Sequence, residues 1–318
     1  MRDGIEPLDG VLVVDKPIGP TSHDVVARLR RVLRERRIGH TGTLDPLASG
    51  VLPLVVGRAT RLARFLSADD KSYDAFVRLG ISTDTDDALG RPVGEEPPGR
   101  LPSLETIEAA LGTFRGSFLQ RPPAYSAKHI EGKRSYAIAR ARNRAGVAPG
   151  SDGSGAVMEG PPAVTVTVHR LEMTGLDGTT VGLRIECSSG FYVRSLARDL
   201  GRNLGIGAHL SGLRRTASGS FTLSQAMPLS NAEQHPESIA SSFIPLARLL
   251  PHLHRAELTD EGARRARHGQ ELQPSLWSSR LDAPVGAWVR LLGPEGDLIG
   301  LARAVGPFGA LHPAVVLK

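Results

Sequence analysis

Cysteine is nearly missing from the 318-residue chain, which has Cys187 alone. That excludes an internal disulfide and any thiolate metal cluster, fits a reducing compartment and removes the commonest covalent nucleophile. No apolar run reaches the roughly 18 residues that a membrane span needs. The first residues, with Asp3, Glu6 and Asp9 and no apolar stretch, lack a secretory leader. The expectation is a soluble cytoplasmic protein that neither spans nor binds a membrane. Cofactor signatures are missing as well. No phosphate-binding Gly-x-x-x-x-Gly-Lys-Ser/Thr occurs, and Gly153-Ser154-Gly155 has Met158 where a dinucleotide loop needs its third glycine. The ten histidines form no His-Glu-x-x-His pair, and Asp84, Asp86 and Glu95 match a calcium loop except that Leu89 stands at its obligatory glycine. No cofactor and no metal are expected.

What is present is an ordinary soluble composition, 40% hydrophobic and 23% charged, with a net charge of +6. A basic balance favours a polyanionic partner through counterion release at phosphates, and the distribution of the charge strengthens this. Arginines 28, 30, 31, 34, 36 and 37 face only Glu35, and the stretch 121–144 carries seven lysines and arginines against Glu131, with two tyrosines among them. The first cluster is expected as a surface stripe on a core helix.

The apolar run Val11-Leu12-Val13-Val14 predicts a short buried strand over residues 10–16, stopped by Pro17. Ser22 is the expected cap of a helix whose core face is Val25, Leu29, Val32 and Leu33. Residues 39–50 are too rich in small and turn-forming residues to continue either element and are expected as a loop. A strand begins at Tyr73, and Pro102-Ser103 opens a helix through Ile107 and Leu111 to about Phe114. Residues 164–173 and 181–187 form a hairpin about Asp177-Gly178, and residues 194–203 a helix. Residues 144–162, rich in glycine and proline, and residues 228–240 are expected as linkers. Beyond Pro251, apolar runs at 287–292, 298–305 and 314–317 suggest a small β-rich unit. Strands and helices mix without βαβ alternation, so the class is α+β.

With metals and cofactors set aside, carboxylate chemistry remains. The segment Gly39-His40-Thr41-Gly42-Thr43-Leu44-Asp45-Pro46-Leu47-Ala48-Ser49-Gly50 holds one aspartate in an otherwise uncharged stretch, where glycines let the backbone approach a ligand. Asp-Pro alone is a common turn starter. The whole dodecapeptide, however, resembles the catalytic loop of the TruB family of tRNA pseudouridine synthases, which modify uridine 55 in the T loop. The likeness continues in the family's order over residues 10–225. It takes in Gly10-Val11-Leu12-Val13-Val14-Asp15-Lys16-Pro17, Lys71-Ser72-Tyr73, Thr83-Asp84-Thr85-Asp86-Asp87, Pro123-Ala124-Tyr125-Ser126-Ala127, Gly190-Phe191-Tyr192-Val193-Arg194, Gly207-Ala208-His209-Leu210 and Leu213-Arg214-Arg215.

The resemblance implies the pseudouridine synthase fold, a mixed and mainly antiparallel sheet flanked by helices, with a small PUA-like C-terminal domain. It divides the chain into a catalytic domain at 1–240, with a thumb and linker at about 121–162, and a reduced RNA-binding domain at 250–318. It makes Asp45 the catalytic carboxylate of a reaction that breaks C1′–N1, turns the uracil and rejoins it through C5. Asp45 would act either as nucleophile on C1′ or as base at C2′. Both roles need the ion, and burial would raise the ordinary aspartate pKa of about 3.9. Arg194 matches the arginine that supplies the compensating charge, and Asp87 the acid that orients it. Tyr73 matches the tyrosine that stacks on the flipped base, and its hydroxyl is a candidate for the C5 proton. Tyr192 and Leu213 match pocket residues, His40 a histidine that holds the displaced RNA loop, and Lys16 a lysine near the site. Lys128, Lys133 and Arg134 match thumb cations that contact phosphates. The implied partner is the tRNA T-arm, met by a monomer with no obligate protein partner. Two other readings stand beside it: a guide-RNA-dependent subunit acting on ribosomal RNA, and a tRNA-folding chaperone.

Overall fold

The computed structural model describes residues 8–94, 101–123, 129–130, 133–134, 162–278, 280–306 and 309–317. The chain opens with β1 (Gly10–Lys16). Val11 and Val13 enter one core cluster, while Leu12 and Val14 enter another. A strand whose alternate side chains are buried on both faces has to be apolar without interruption, which is why the run does not alternate.

The helix α1 (Ser22–Leu33) follows, and its cap is Thr21 rather than Ser22. Thr21 and Asp24 exchange the reciprocal bonds of a capping box. The fully buried Ser22 is displaced from capping because its hydroxyl is engaged elsewhere, on the backbone of Leu44. The expected loop at 39–50 is also shorter than anticipated. β2 (Ile38–His40) and β3 (Ala48–Val56) pair with each other and take both ends of it, leaving residues 41–47 as the connection.

Next come α2 (Ala63–Ser67), β4 (Lys71–Leu79), and the short pair β5 (Ser82–Thr83) and β6 (Pro92–Val93). α3 (Leu104–Gly112) is capped by Ser103 and ends before Phe114, which is nevertheless buried in the core. β7 (Gly116–Gln120) is followed by the two-residue strands β8 (His129–Ile130) and β9 (Lys133–Arg134). The hairpin of β10 (Val164–Asp177) and β11 (Thr180–Cys187) turns at Gly178, whose φ is +54°. α4 (Val193–Asn203) and β12 (Ala208–Ser218) complete the central region.

The large sheet is completed by β13 (Phe221–Thr222), β14 (Met227–Pro228) and β15 (Phe243–Pro245). Its path is β14-β1-β3-β12-β4-β11-β10-β7, with β2, β13 and β15 attached alongside. Pairing is antiparallel except for β1 with β14 and β3 with β12. Residues 228–240 are therefore not a linker. α5 (Leu229–Gln234) buries Leu229 and Ala232, and with Ile239 they cover the Leu12 and Val14 face of β1. Strands of two or three residues have no period to detect, which is why this region passed for a connection.

A second sheet, β16-β17-β18-β19, is built from β16 (His254–Glu257), β17 (Trp288–Leu292), β18 (Leu298–Val305) and β19 (Ala310–Val316). The helix α6 (Asp260–Arg267) packs on it, a helix that the apolar runs did not announce. Leu292, Leu298, Leu301 and Leu317 share one cluster with Val11, Val51 and Val55, so the second sheet is packed directly on the first.

One contact in the large sheet sets its tolerance. Gly50 has φ +102°, and a Cβ there would stand 2.2 Å from the carbonyl oxygen of Arg215 across the parallel β3–β12 pair. Gly50→Ala combines a left-handed backbone with a backbone clash, and it should destabilise the fold by about 2 kcal/mol or more. Thermal unfolding of the variant against the parent checks this.

Candidate active site

Between β2 and β3 the connection is held from several sides. Thr41 N–H donates to the Pro53 carbonyl (3.2 Å) and Gly19 N–H to the Pro46 carbonyl (2.9 Å). Ser22 Oγ accepts from Leu44 N–H (2.8 Å) and donates to the Leu44 carbonyl (3.0 Å). Leu44 and Leu47 are buried beneath it. Between them, Asp45 keeps its side chain 40% exposed. The loop is rigidly seated, and its one carboxylate opens into a cavity of about 400 Å³.

Arg194 meets that carboxylate. It sits in the first turn of α4, with Nε 2.9 Å from Asp45 Oδ2 and 3.8 Å from Asp87 Oδ2, while Nη1 donates to the Thr85 carbonyl at 3.1 Å. Asp87 is itself fixed, accepting from Thr85 Oγ1 (2.7 Å) and Leu89 N–H (3.0 Å). One helical turn further along α4, Arg198 Nη1 reaches Asp86 at 3.1 Å. Residues 85–87 thus engage two successive turns of one helix face. The backbone just before Arg194 is clamped from β7: Tyr192 N–H donates to Gln120 Oε1 (2.8 Å), and Gln120 Nε2 donates to the Tyr192 carbonyl (3.1 Å).

Tyr73 lies on β4, buried at 9% exposure yet lining the cavity. Burial pushes its phenol above the usual range, an effect that the neighbouring Arg215 guanidinium opposes. His40 ends β2, with its ring edge-on to His23 at 5.4 Å. Burial, then the charges of His23 and Arg215, lower its pKa to about 4, so the ring is neutral near pH 7. Of the residues singled out from sequence, Asp45, Tyr73, Arg194, His40, Tyr192 and Leu213 all line this one cavity. Asp87 stands behind Arg194. Lys16, fully buried, is behind the loop, where its ammonium donates to the carbonyls of Pro17 (2.9 Å) and Pro20 (2.8 Å). Desolvation lowers its pKa to about 8, against the pull of Asp45. Lys128 falls outside the described residues. Lys133 and Arg134 form β9, whose side chains are outside the description too.

Sequence reasoning missed Ser22 as a loop anchor, Gln120, Lys71 and, most of all, Arg215. The motif Leu213-Arg214-Arg215 was noticed without asking which arginine points inward. Strand alternation answers that: Leu213 and Arg215 share a face and line the cavity, while Arg214 turns the other way to Asp15, 2.7 Å from its Oδ2. Lys71, two residues before Tyr73 on β4, carries the same signal, whereas Gln120 carried none.

The cavity joins a seated carboxylate, a buried arginine and a buried tyrosine, and the comparisons with known proteins name the class. A model described as the TruB family pseudouridylate synthase N-terminal domain matches residues 30–193, and one described as the tRNA pseudouridylate synthase B C-terminal domain matches residues 194–250. The tRNA pseudouridine synthase B of Solibacter usitatus is 42% identical over 98% of this chain and 100% of its own length. That of Thermobifida fusca is 41% identical over 97% and 98%. Among solved structures, an H/ACA ribonucleoprotein bound to a substrate RNA containing 2′-deoxyuridine matches with a TM-score of 0.72 at 25% identity, over 97% of this chain and 85% of that one. The protein is therefore a pseudouridine synthase, an RNA-binding isomerase that modifies tRNA. Within that class the chain belongs to the TruB family.

The neutral state of His40 has a measurable consequence. Its pKa is about 4 in the folded protein against an ordinary 6.5, so the unfolded chain binds the extra proton between those values. Its contribution to stability is complete above pH 6.5 and is lost as the pH falls towards 4, with a slope of at most about 1.4 kcal/mol per pH unit. Denaturant unfolding of the parent and of His40→Gln across this window should show a shallower acid slope in the variant.

Proposed function

We propose that the protein isomerises uridine 55 in the T loop of tRNA, with Asp45 as the catalytic carboxylate. The observation that carries this reading is the 2.9 Å pair between Asp45 and the buried Arg194 on the wall of the cavity that Tyr73 also lines. A uridine inside a folded loop cannot present C1′ to a protein carboxylate. It must be extruded, at a cost of a few kcal/mol of stacking. The neutral His40, at the cavity edge beside His23, offers a flat surface to the opened loop, and Tyr192 and Leu213 wall the nucleotide.

The chemistry breaks C1′–N1, forms C1′–C5, removes the proton from C5 and places one on N1, so the product is an isomer of the substrate. The Asp45 carboxylate serves as nucleophile at C1′ or as base at C2′, and the Arg194 guanidinium 2.9 Å away orients it for either route. Tyr73 stacks on the turning uracil, with its hydroxyl as the candidate acceptor for the C5 proton. Residues 1–240 form the catalytic domain in this reading, with a thumb at 121–162 whose Lys128, Lys133 and Arg134 meet T-arm phosphates. Residues 250–318 form a PUA-like domain. The enzyme works as a monomer in the cytoplasm, without a guide RNA. Its likeness at about 40% identity over nearly full length is to tRNA pseudouridine synthases B, whereas the H/ACA ribonucleoprotein matches at 25%.

Purified protein alone should convert a T-arm stem-loop transcript. Asp45→Asn should lower turnover about a thousandfold or more while stem-loop binding survives. Arg194→Met should lower turnover about a hundredfold with a much smaller loss of affinity. Single-turnover assays paired with filter binding check both variants. Full activity in Asp45→Asn contradicts the assignment, and equal loss of turnover and affinity in Arg194→Met makes Arg194 a binding residue.

A further inference from the structure

Among the described residues, the largest fully buried side chain is a cation, Arg215. A guanidinium withdrawn from water is costly unless its donors are met and its charge is opposed. Two of its donors are met on backbone: Nε donates to the Val51 carbonyl at 2.7 Å and Nη2 to the Gly42 carbonyl at 3.1 Å. The charge has no salt-bridge partner among the described residues. This sets it apart from Arg194, Arg198 and Arg214, each of which has a carboxylate within 3.1 Å. Its nearest electrostatic neighbours include Lys16, Lys71 and His40, none of which compensates it.

The acceptors explain why such a group is kept. Gly42 and Val51 stand on either side of Asp45, and Tyr73 lies directly across from Arg215 in the β12–β4 register. One planar fork therefore ties the segment before the carboxylate to the segment after it, on the strand position that faces Tyr73. The backbone under the fork is close-packed too, since Gly50 lies against Arg215 with no room for a Cβ.

We infer that Arg215 is a positioning residue for the isomerisation, holding the Asp45 loop in a fixed place across from Tyr73 so that both meet one nucleotide. The inference rests on the reading of Asp45 as the catalytic carboxylate. A lysine at 215 keeps the charge but has no planar fork to reach both carbonyls, so geometry and charge can be separated. A displacement of the order of 1 Å at a reacting carboxylate is enough to cost about a hundredfold in rate.

The test uses the full chain and a T-arm stem-loop. Arg215→Lys should lower kcat about a hundredfold, leaving the dissociation constant for the stem-loop and the circular dichroism spectrum as in the parent. Arg215→Gln, which keeps an amide donor without the charge, is the second variant should the lysine fail to fold. Arg215→Ala should regain part of its turnover when methylguanidinium is added at non-denaturing concentration, a rescue that a general structural role does not produce. Parental turnover in either folded variant overturns the inference. So does a parallel loss of affinity and turnover, or loss of the fold in both variants, which would make Arg215 a core strut. Asp45→Asn measured alongside separates the two claims. An active Asp45→Asn removes the reading of the site, whereas an inactive one beside a fully active Arg215→Lys removes only the role of Arg215.

Discussion

The ion pair between Arg194 and Asp45 is the constraint around which this molecule is arranged. The arginine side chain is 7% exposed and the carboxylate 40% exposed, so the cation is sealed and its partner is half open. Solvent on the carboxylate side screens the pair, which therefore stabilises the fold by less than the roughly 3–5 kcal/mol lost when a fully buried pair is broken. Its consequence is chemical more than energetic. A sealed cation cannot relax away from the cavity, and it fixes the carboxylate beside it at the cavity wall, where a ligand can meet it. To place the pair, the fold must bring together α4, the 41–47 loop and the turn at 85–87, and each is secured by bonds of its own through Gln120, Ser22 and Thr85.

The sheet makes that convergence possible. β3 lies beside β12 in parallel and β12 beside β4 antiparallel, so Ala48 at the loop exit, Leu213 and Ala75 fall in one cross-strand row, two residues from Tyr73. Burial on both faces of β1 and β3 leaves those strands little freedom to slip, because a one-residue shift would exchange the occupants of two separate cores. The second sheet contributes Leu292, Leu298 and Leu301 to one of those cores, and Leu317 just past it a fourth, so it buttresses the strands that carry the 41–47 loop.

Much of this was legible from sequence where a pattern had enough length to repeat. The apolar run of β1, the strand at Tyr73 and the β10–β11 hairpin are plain in the sequence, and the ordered motifs pick out Asp45, Tyr73 and Arg194, which the fold brings to one cavity. Other features were hidden for physical reasons. β14 and β15 are too short to show a period, and α5 hides its two buried residues among polar ones, so 228–240 passed for a linker. Ser22 fits the general pattern of a helix cap, and only the tertiary fold shows its hydroxyl spent on Leu44 while Thr21 caps. Arg215 was overlooked because an arginine in a basic protein is expected at the surface. The period of two that places it beside Leu213 was available and went unused.

The central claim is that Asp45 and its arginine confront the sugar of one extruded uridine. A crystal structure of the protein with a T-arm stem-loop tests it most directly, through the distance between the Asp45 carboxylate and the target nucleotide. The account predicts an extruded uridine stacked on Tyr73, with an Asp45 oxygen about 3–3.5 Å from C1′ or from the C2′ hydrogen-bearing carbon, and Arg194 still paired. A uridine bound elsewhere, with Asp45 out of reach of its ribose, would contradict it.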